Sequence, residues 1–165
     1  SRAVLLMAIS NKLGYILINT SNKSELSVGY STLYGDLCGA LSPLGDVYKN
    51  QVYALARFIN RRGEIIPNHI IQKAPSAELR PGQKDADSLP AYDVLDELLK
   101  HYIEEQKGVD ELITMGYDQT TVYKIIDLVN ASEYKRYQAP PILRVSSKSF
   151  GKGRIMPLVA NYSSK

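Results

Sequence analysis

The sequence has no tryptophan, two phenylalanines, one cysteine and two histidines, against twelve tyrosines. A lone cysteine, Cys38, excludes an internal disulfide and any thiolate cluster, and it is compatible with a reducing compartment. His69 and His101 are too far apart to form a zinc motif. A formal net charge of +3 is too small to argue for a nucleic-acid or membrane partner. The apolar opening "AVLLMAI" is far short of the roughly 20 residues that span a bilayer. With so few phenylalanines, much of the aromatic packing carries hydroxyls that need partners or solvent.

What is present is ordinary for one globular domain: 44% hydrophobic and 22% charged residues in a chain of 165, enough for a real core. The apolar run starts almost at once, at Ala3, which reads as a segment of something longer. Residues 3–11 read as a helix and 15–20, "YILINT", as a buried strand. Ser21 or Asn22 caps a helix placed over 23–33, although Ser21 and Glu25 are one residue too widely spaced for a capping box. A Gly-rich connection with a short strand near 40–42 leads to a helix over 48–60, with Val52, Leu55, Ala56 and Ile59 inward.

Residues 65–91 hold four prolines and read as a short turn or helix, then a long loop. A loop of that length is a functional lid or a mobile connection. Helical periodicity returns over 92–106, with Val94, Leu95, Leu98, Leu99, Tyr102 and Ile103 on one face, and again over 109–115. Asp118 caps a helix over 119–131, with Val122, Ile125, Ile126 and Val129 inward. Its pairing with the preceding short helix could be scored as a helix-turn-helix, but Gln119, Thr120, Thr121 and Lys124 give thin phosphate anchoring. The basic tail, 140–165, is extended. One strong strand has no ladder partner, so further strands must come from weak candidates here, another chain, or sequence that is absent.

The loop after a parallel strand is where open α/β sheets bind ligands. Thr20 to Ser24 lie there, at a helix N-terminus that favours anions, with Glu25 and Asp36 as hard oxygen donors suited to Mg²⁺ beside a phosphate. The same residues equally make a capped helix and a turn with nothing bound. Lys49 read alone is solvated, and the charged loop residues Glu78, Arg80, Lys84, Asp85 and Asp87 suit a lid or a mobile loop alike. Lys148, Lys152 and Arg154 could hold a phosphate or a carboxylate.

Four segments, "NTSNKSELSVGYSTLYGD", "SPLGDVYKNQV", "APSAELRPGQKDADSLPAYDVLDELL" and "SSKSFGKGRIMP", occur in the order found in NAD synthetases. Together they resemble most closely the C-terminal part of the synthetase domain of the glutamine-dependent kind. The resemblance implies an α/β fold: a C-terminal fragment of an adenine-nucleotide alpha-hydrolase-like (Rossmann-like) domain, mostly helical with few strands. It implies an ATP pyrophosphatase that activates deamido-NAD as an acyl adenylate, which ammonia converts to NAD. Such chemistry needs alignment and Mg²⁺ rather than a side-chain nucleophile.

By the same resemblance Glu25 is the metal-binding carboxylate, and it joins Lys49 and Lys148 in the catalytic group. Thr20, Asn22, Asp36, Ser76, Asp85, Asp87 and Arg154 fall at nucleotide- and substrate-binding positions. Residues 76–91 match a mobile loop. The resemblance further implies a cytoplasmic homodimer or higher homo-oligomer, with no nucleic-acid or membrane partner.

Ser21 stands where many relatives have glycine, and Lys84 where threonine is frequent. The family's phosphate-gripping S-G-G-x-D-S is found nowhere in the 165 residues, nor is the glutaminase machinery. The expectation is therefore an active parent enzyme and an inactive piece. Alternatives are a non-catalytic nucleotide-binding or dimerisation module, or a related ATP pyrophosphatase amide ligase. The "PSAELRPGQ" loop argues against the latter.

Overall fold

A computed structural model describes residues 2–76 and 81–159. Glu78 and Arg80 of the charged loop, and the tail from residue 160, lie outside the described residues. The elements are α1 (Arg2–Leu13), α2 (Lys23–Val28), α3 (Lys49–Ile59), α4 (Asn68–Gln72), α5 (Tyr92–Ile103), α6 (Val109–Thr114), α7 (Gln119–Ala131) and α8 (Glu133–Tyr137). Single 3₁₀ turns sit at Asn60–Arg62 and Asp85–Asp87.

The core is built on the two strongest periodic patterns. Leu95, Leu98, Leu99 and Ile103 of α5 are buried against Val122, Ile125, Ile126 and Val129 of α7. Asp118 starts α7, its carboxylate accepting the Thr121 N–H at 2.8 Å, which satisfies one free donor of the first turn. α2 packs on both α5 and α7, contributing Leu26 and Val28. Leu37, Tyr48, Leu89, Leu112 and Phe150 complete the cluster.

Residues 15–20 do not form the expected strand. Ile18 makes one parallel bridge to Leu41, and Ser42 makes another to Ile142. Three extended segments therefore lie side by side, one bridge long, in the order 18, 41–42, 142. Their parallel sense suits an α/β arrangement, and the expected extended residues at 40–42 are its middle member. Tyr15 and Ile16 are 67% and 70% exposed. A run this apolar belongs in a strand covered on both faces; here no second neighbour lies beside it among the described residues.

Other elements also depart from expectation. α2 ends at Val28 rather than continuing to residue 33, because Gly29 takes the left-handed C-cap conformation (φ 66°), which glycine adopts without strain. The face of α3 read as inward is not buried: Leu55 and Ile59 are exposed and Val52 half-buried. On α5, Val94 is exposed. Residues 133–137, assigned to no element from the sequence, form α8.

Candidate functional site

The loop entering α2 is organised by a buried asparagine. Asn19 Oδ1 accepts the Ser21 N–H (2.9 Å) and the Ser42 hydroxyl (3.0 Å), while its amide donates to the Asp36 and Cys38 carbonyls. Residues 19–21 are thereby fixed against 36–38 and 42. Gly39 permits the approach, since a Cβ there would stand 2.9 Å from the Asn19 nitrogen. A cavity of about 710 Å³ opens beside this clamp. Thr20, Tyr30, Asp36, Gln83 and Lys135 contribute to its polar lining, and Ala3, Leu6 and Leu17 to its apolar lining.

The N-terminus of α2 is already satisfied within the protein. Asn22, not Ser21, is the cap, and at the correct spacing: its side chain accepts the Glu25 N–H (3.0 Å) while Glu25 Oε2 accepts the Asn22 N–H (3.3 Å). The Lys23 N–H donates to the Val47 carbonyl at 2.9 Å. The Lys23 side chain turns inward, fully buried, between Asp46 (3.0 Å) and Glu104 (2.9 Å). It also donates to Ser146 Oγ and to the Lys148 carbonyl. Asp46 in turn accepts the N–H groups of Val145 and Ser146, so this ion cluster fastens the tail to the helices.

Burial would raise the Asp46 carboxyl, but the Ser146 and Val145 N–H bonds, the Ser146 hydroxyl and Lys23 outweigh it and hold it below its ordinary value. Glu104 is likewise pushed up by burial and brought below its ordinary value by Lys23 and Ser147.

A second polar group gathers at the start of α3. Glu25 Oε1 and Lys49 Nζ are 3.0 Å apart, each side chain 19% exposed. The Lys49 ammonium lies 5.5 Å from the centre of the Tyr92 ring and 5.9 Å from that of Tyr53, within cation–π range. The Tyr92 hydroxyl donates to Asp85 Oδ2 at 2.7 Å. Burial first, then that hydrogen bond and the charge of Glu25, push the phenol far above its ordinary value, so it remains a donor. Behind the pair, buried Asp96 accepts from the Asn50 N–H (2.8 Å) and the Ser24 hydroxyl, and Ser24 Oγ accepts the Lys49 N–H (2.9 Å). Asp96 and Ser24 thus cap α3 from outside the helix and set where Lys49 starts.

The structure therefore brings together Glu25, Lys49 and, through Tyr92, Asp85. Thr20 and Asp36 meet separately at the cavity. Asn22 is buried with its side chain in the cap. Asp87 accepts the Lys84 N–H within its own turn, Ser76 is half-buried at the start of the loop, and Arg154 lies against Tyr102 (5.4 Å). Lys148 is tied in by its carbonyl alone among these contacts.

Three features had little or no signal in the sequence. Lys135 lines the cavity and donates to the Gly29 and Ser31 carbonyls (2.7 and 2.8 Å). Arg136 binds the Leu26 and Ser27 carbonyls at the end of α2. Both come from a stretch without periodicity, marked only by its charge. Tyr92 was just another tyrosine at a helix start.

Among the described residues no three His, Cys, Asp or Glu side chains form a group able to hold a metal. Glu25 is the carboxylate expected to bind metal; both its oxygens are engaged here, Oε1 by Lys49 and Oε2 by the Asn22 N–H.

Residues 1–139 match the family model described as NAD synthase. A glutamine-dependent NAD(+) synthetase of Synechocystis is 52% identical over 95% of this chain, which spans only 28% of that protein. The crystal structure of a glutamine-dependent NAD(+) synthetase from Cytophaga hutchinsonii superposes with a TM-score of 0.75 at 24% identity, over 96% of this chain and 27% of that one. An NMN synthetase from Francisella tularensis gives 0.64 at 29% identity, over 82% of this chain and 50% of that one. The parallel bridges and helical layers are thus part of an adenine-nucleotide alpha-hydrolase-like fold. On the match over residues 1–139, the chain belongs to the NAD synthase family.

Proposed function

We propose that this chain is part of a glutamine-dependent NAD synthetase that amidates deamido-NAD to NAD at the expense of ATP. In that reaction the pyridine carboxylate attacks the α-phosphorus of ATP, the bond to pyrophosphate breaks, and an acyl adenylate results. Ammonia released from glutamine elsewhere in the parent then attacks the acyl carbon and AMP leaves. The observation that carries the reading is the Glu25–Lys49 pair at 3.0 Å, a carboxylate and an ammonium beside the loop that enters α2. Mg²⁺ held by Glu25 would spread the phosphate charge. Lys49, steadied by two rings, is placed to attract an anionic group as Glu25 releases it.

Thr20 and Asp36 contribute to the cavity beside this loop, whose mixed lining suits a nucleoside; Lys135 adds positive charge there. Of the loop residues proposed to bind ligand, Asp85 reaches the pair through Tyr92 and Ser76 and Asp87 serve from its flanks, while Lys148 and Arg154 serve as outlying cations of the tail. Asn22 acts by holding the loop rather than by touching ligand.

The parent is a cytoplasmic homo-oligomer, with the apolar α1 at a subunit contact. Among the described residues no helix is long and apolar enough to cross a membrane. The 165 residues alone turn over nothing, because the phosphate-gripping loop is not among them.

In the parent, Glu25→Gln should abolish Mg²⁺-dependent pyrophosphate release while leaving the fold intact, as read by circular dichroism. Undiminished pyrophosphate release would end the metal role of Glu25. Titrating this chain with deamido-NAD, and separately with ATP and Mg²⁺, tests which substrate it retains.

A further inference from the structure

Tyr92 stands where three charged groups from distant parts of the chain meet. Lys49 comes from the start of α3, Glu25 from α2, and Asp85 from the proline-rich segment. Asp85 is 5% exposed, its backbone N–H donates to the Pro75 carbonyl at 3.0 Å, and among the described residues Oδ1 has no hydrogen-bond partner. Among the described residues the Tyr92 hydroxyl, on Oδ2 at 2.7 Å, is the one side-chain donor to this buried carboxylate. On its ring, Tyr92 carries the ammonium of Lys49 at 5.5 Å. Ring and hydroxyl together connect the 81–91 segment to the Glu25–Lys49 pair.

We propose that Tyr92 is a positioning residue: its ring holds the Lys49 ammonium toward Glu25, and its hydroxyl, through Asp85, fastens the 81–91 segment to that same pair. The inference rests on the reading of Glu25 and Lys49 as groups that face ligand. The two functions separate chemically. Tyr92→Phe keeps the ring and loses the tie to Asp85; Tyr92→Leu loses both. A buried carboxylate deprived of its hydroxyl donor loses a charge-assisted hydrogen bond, so local opening of the segment becomes easier while the α5–α7 core is untouched.

The experiment uses the whole chain without ligand. Amide hydrogen exchange is followed at Asp85 and Leu89, whose N–H groups bond to Pro75 and Asp85 carbonyls, and the lysines are ¹³C-methylated so that Lys49 reports ring currents by NMR. Lys49→Arg assigns its signal. In Tyr92→Phe, exchange at Asp85 and Leu89 should speed up by about tenfold, with α7 amides and the Lys49 signal unchanged. In Tyr92→Leu the Lys49 signal should also move. Combining Tyr92→Phe with Asp85→Asn should add little to either single variant, as expected for partners in one interaction.

Unchanged exchange in Tyr92→Phe, additive effects in the double variant, or an unmoved Lys49 signal in Tyr92→Leu would each overturn the proposal. None of these readouts involves turnover, so they stand apart from the pyrophosphate assay that tests the function itself.

Discussion

The ammonium of Lys23 has no exposed surface, and such a charge is tolerated only when paired and hydrogen-bonded. Asp46, Glu104, Ser146 and the Lys148 carbonyl meet that demand, and the Tyr48 ring lies 4.9 Å away. Lys23→Met would leave two carboxylates facing each other without their cation, at a cost of about 3–5 kcal/mol, readable as a lower urea midpoint. The pH dependence has a definite sign. Asp46 and Glu104 titrate below their ordinary values, so their contribution is complete above about pH 5 and is lost as pH falls through the lowered values. Lys23→Met should flatten that acid limb in urea titrations. Asp96 behaves oppositely: burial raises it despite the Asn50 and Ser24 bonds, so its contribution is full below its unfolded value and fades as pH rises through the raised one.

At the level of the element, α2 shows how little of a six-residue helix is owed to helix propensity. A helix this short does not propagate on its own; the Asn22–Glu25 box closes one end, and Gly29, Lys135 and Arg136 close the other. Asn22→Ala should cost about 1 kcal/mol. Gly29→Ala should cost more, since φ is +66° and the added Cβ would lie 2.1 Å from Ser132 Oγ; thermal melts of the two variants check the order. α5 and α7 were legible because their apolar residues repeat at helical spacing and find cover from each other. The α2 boundary was misplaced because the left-handed Gly29 ends the helix at Val28 although the sequence after it carries no proline or other stop before residue 33. For residues 15–20 the pattern alone named a strand, but a strand also needs a partner along its length, and Ile18 finds Leu41 for one bridge only. Glu25 and Lys49 could be singled out one by one, whereas their meeting at Tyr92 depends on packing between segments distant in sequence.

Across the whole molecule, apolar surface is distributed unevenly. α1 carries Val4 (71% exposed), Leu5 (63%), Ile9 (51%) and Leu13 (54%), with Ala3 its only buried residue. From Ala3 to Ile9 the residues are continuously apolar, and polar ones return only at Ser10, Asn11 and Lys12; turns that are apolar all round are normally covered. Tyr15 and Ile16 extend the same uncovered surface. Such a patch drives association when nothing covers it. The 165-residue chain should therefore sediment faster as its concentration rises and bind an apolar dye. Leu5→Lys with Ile9→Glu, one helical turn apart, should suppress both effects while adding an i,i+4 pair that supports the helix. If the unsubstituted chain sediments as a monomer at every concentration and binds no dye, α1 is covered in solution in a way the structure does not contain. If it associates and the double variant does not, the exposed face of α1 is the contact between copies of this chain, as expected of a helix at a subunit contact.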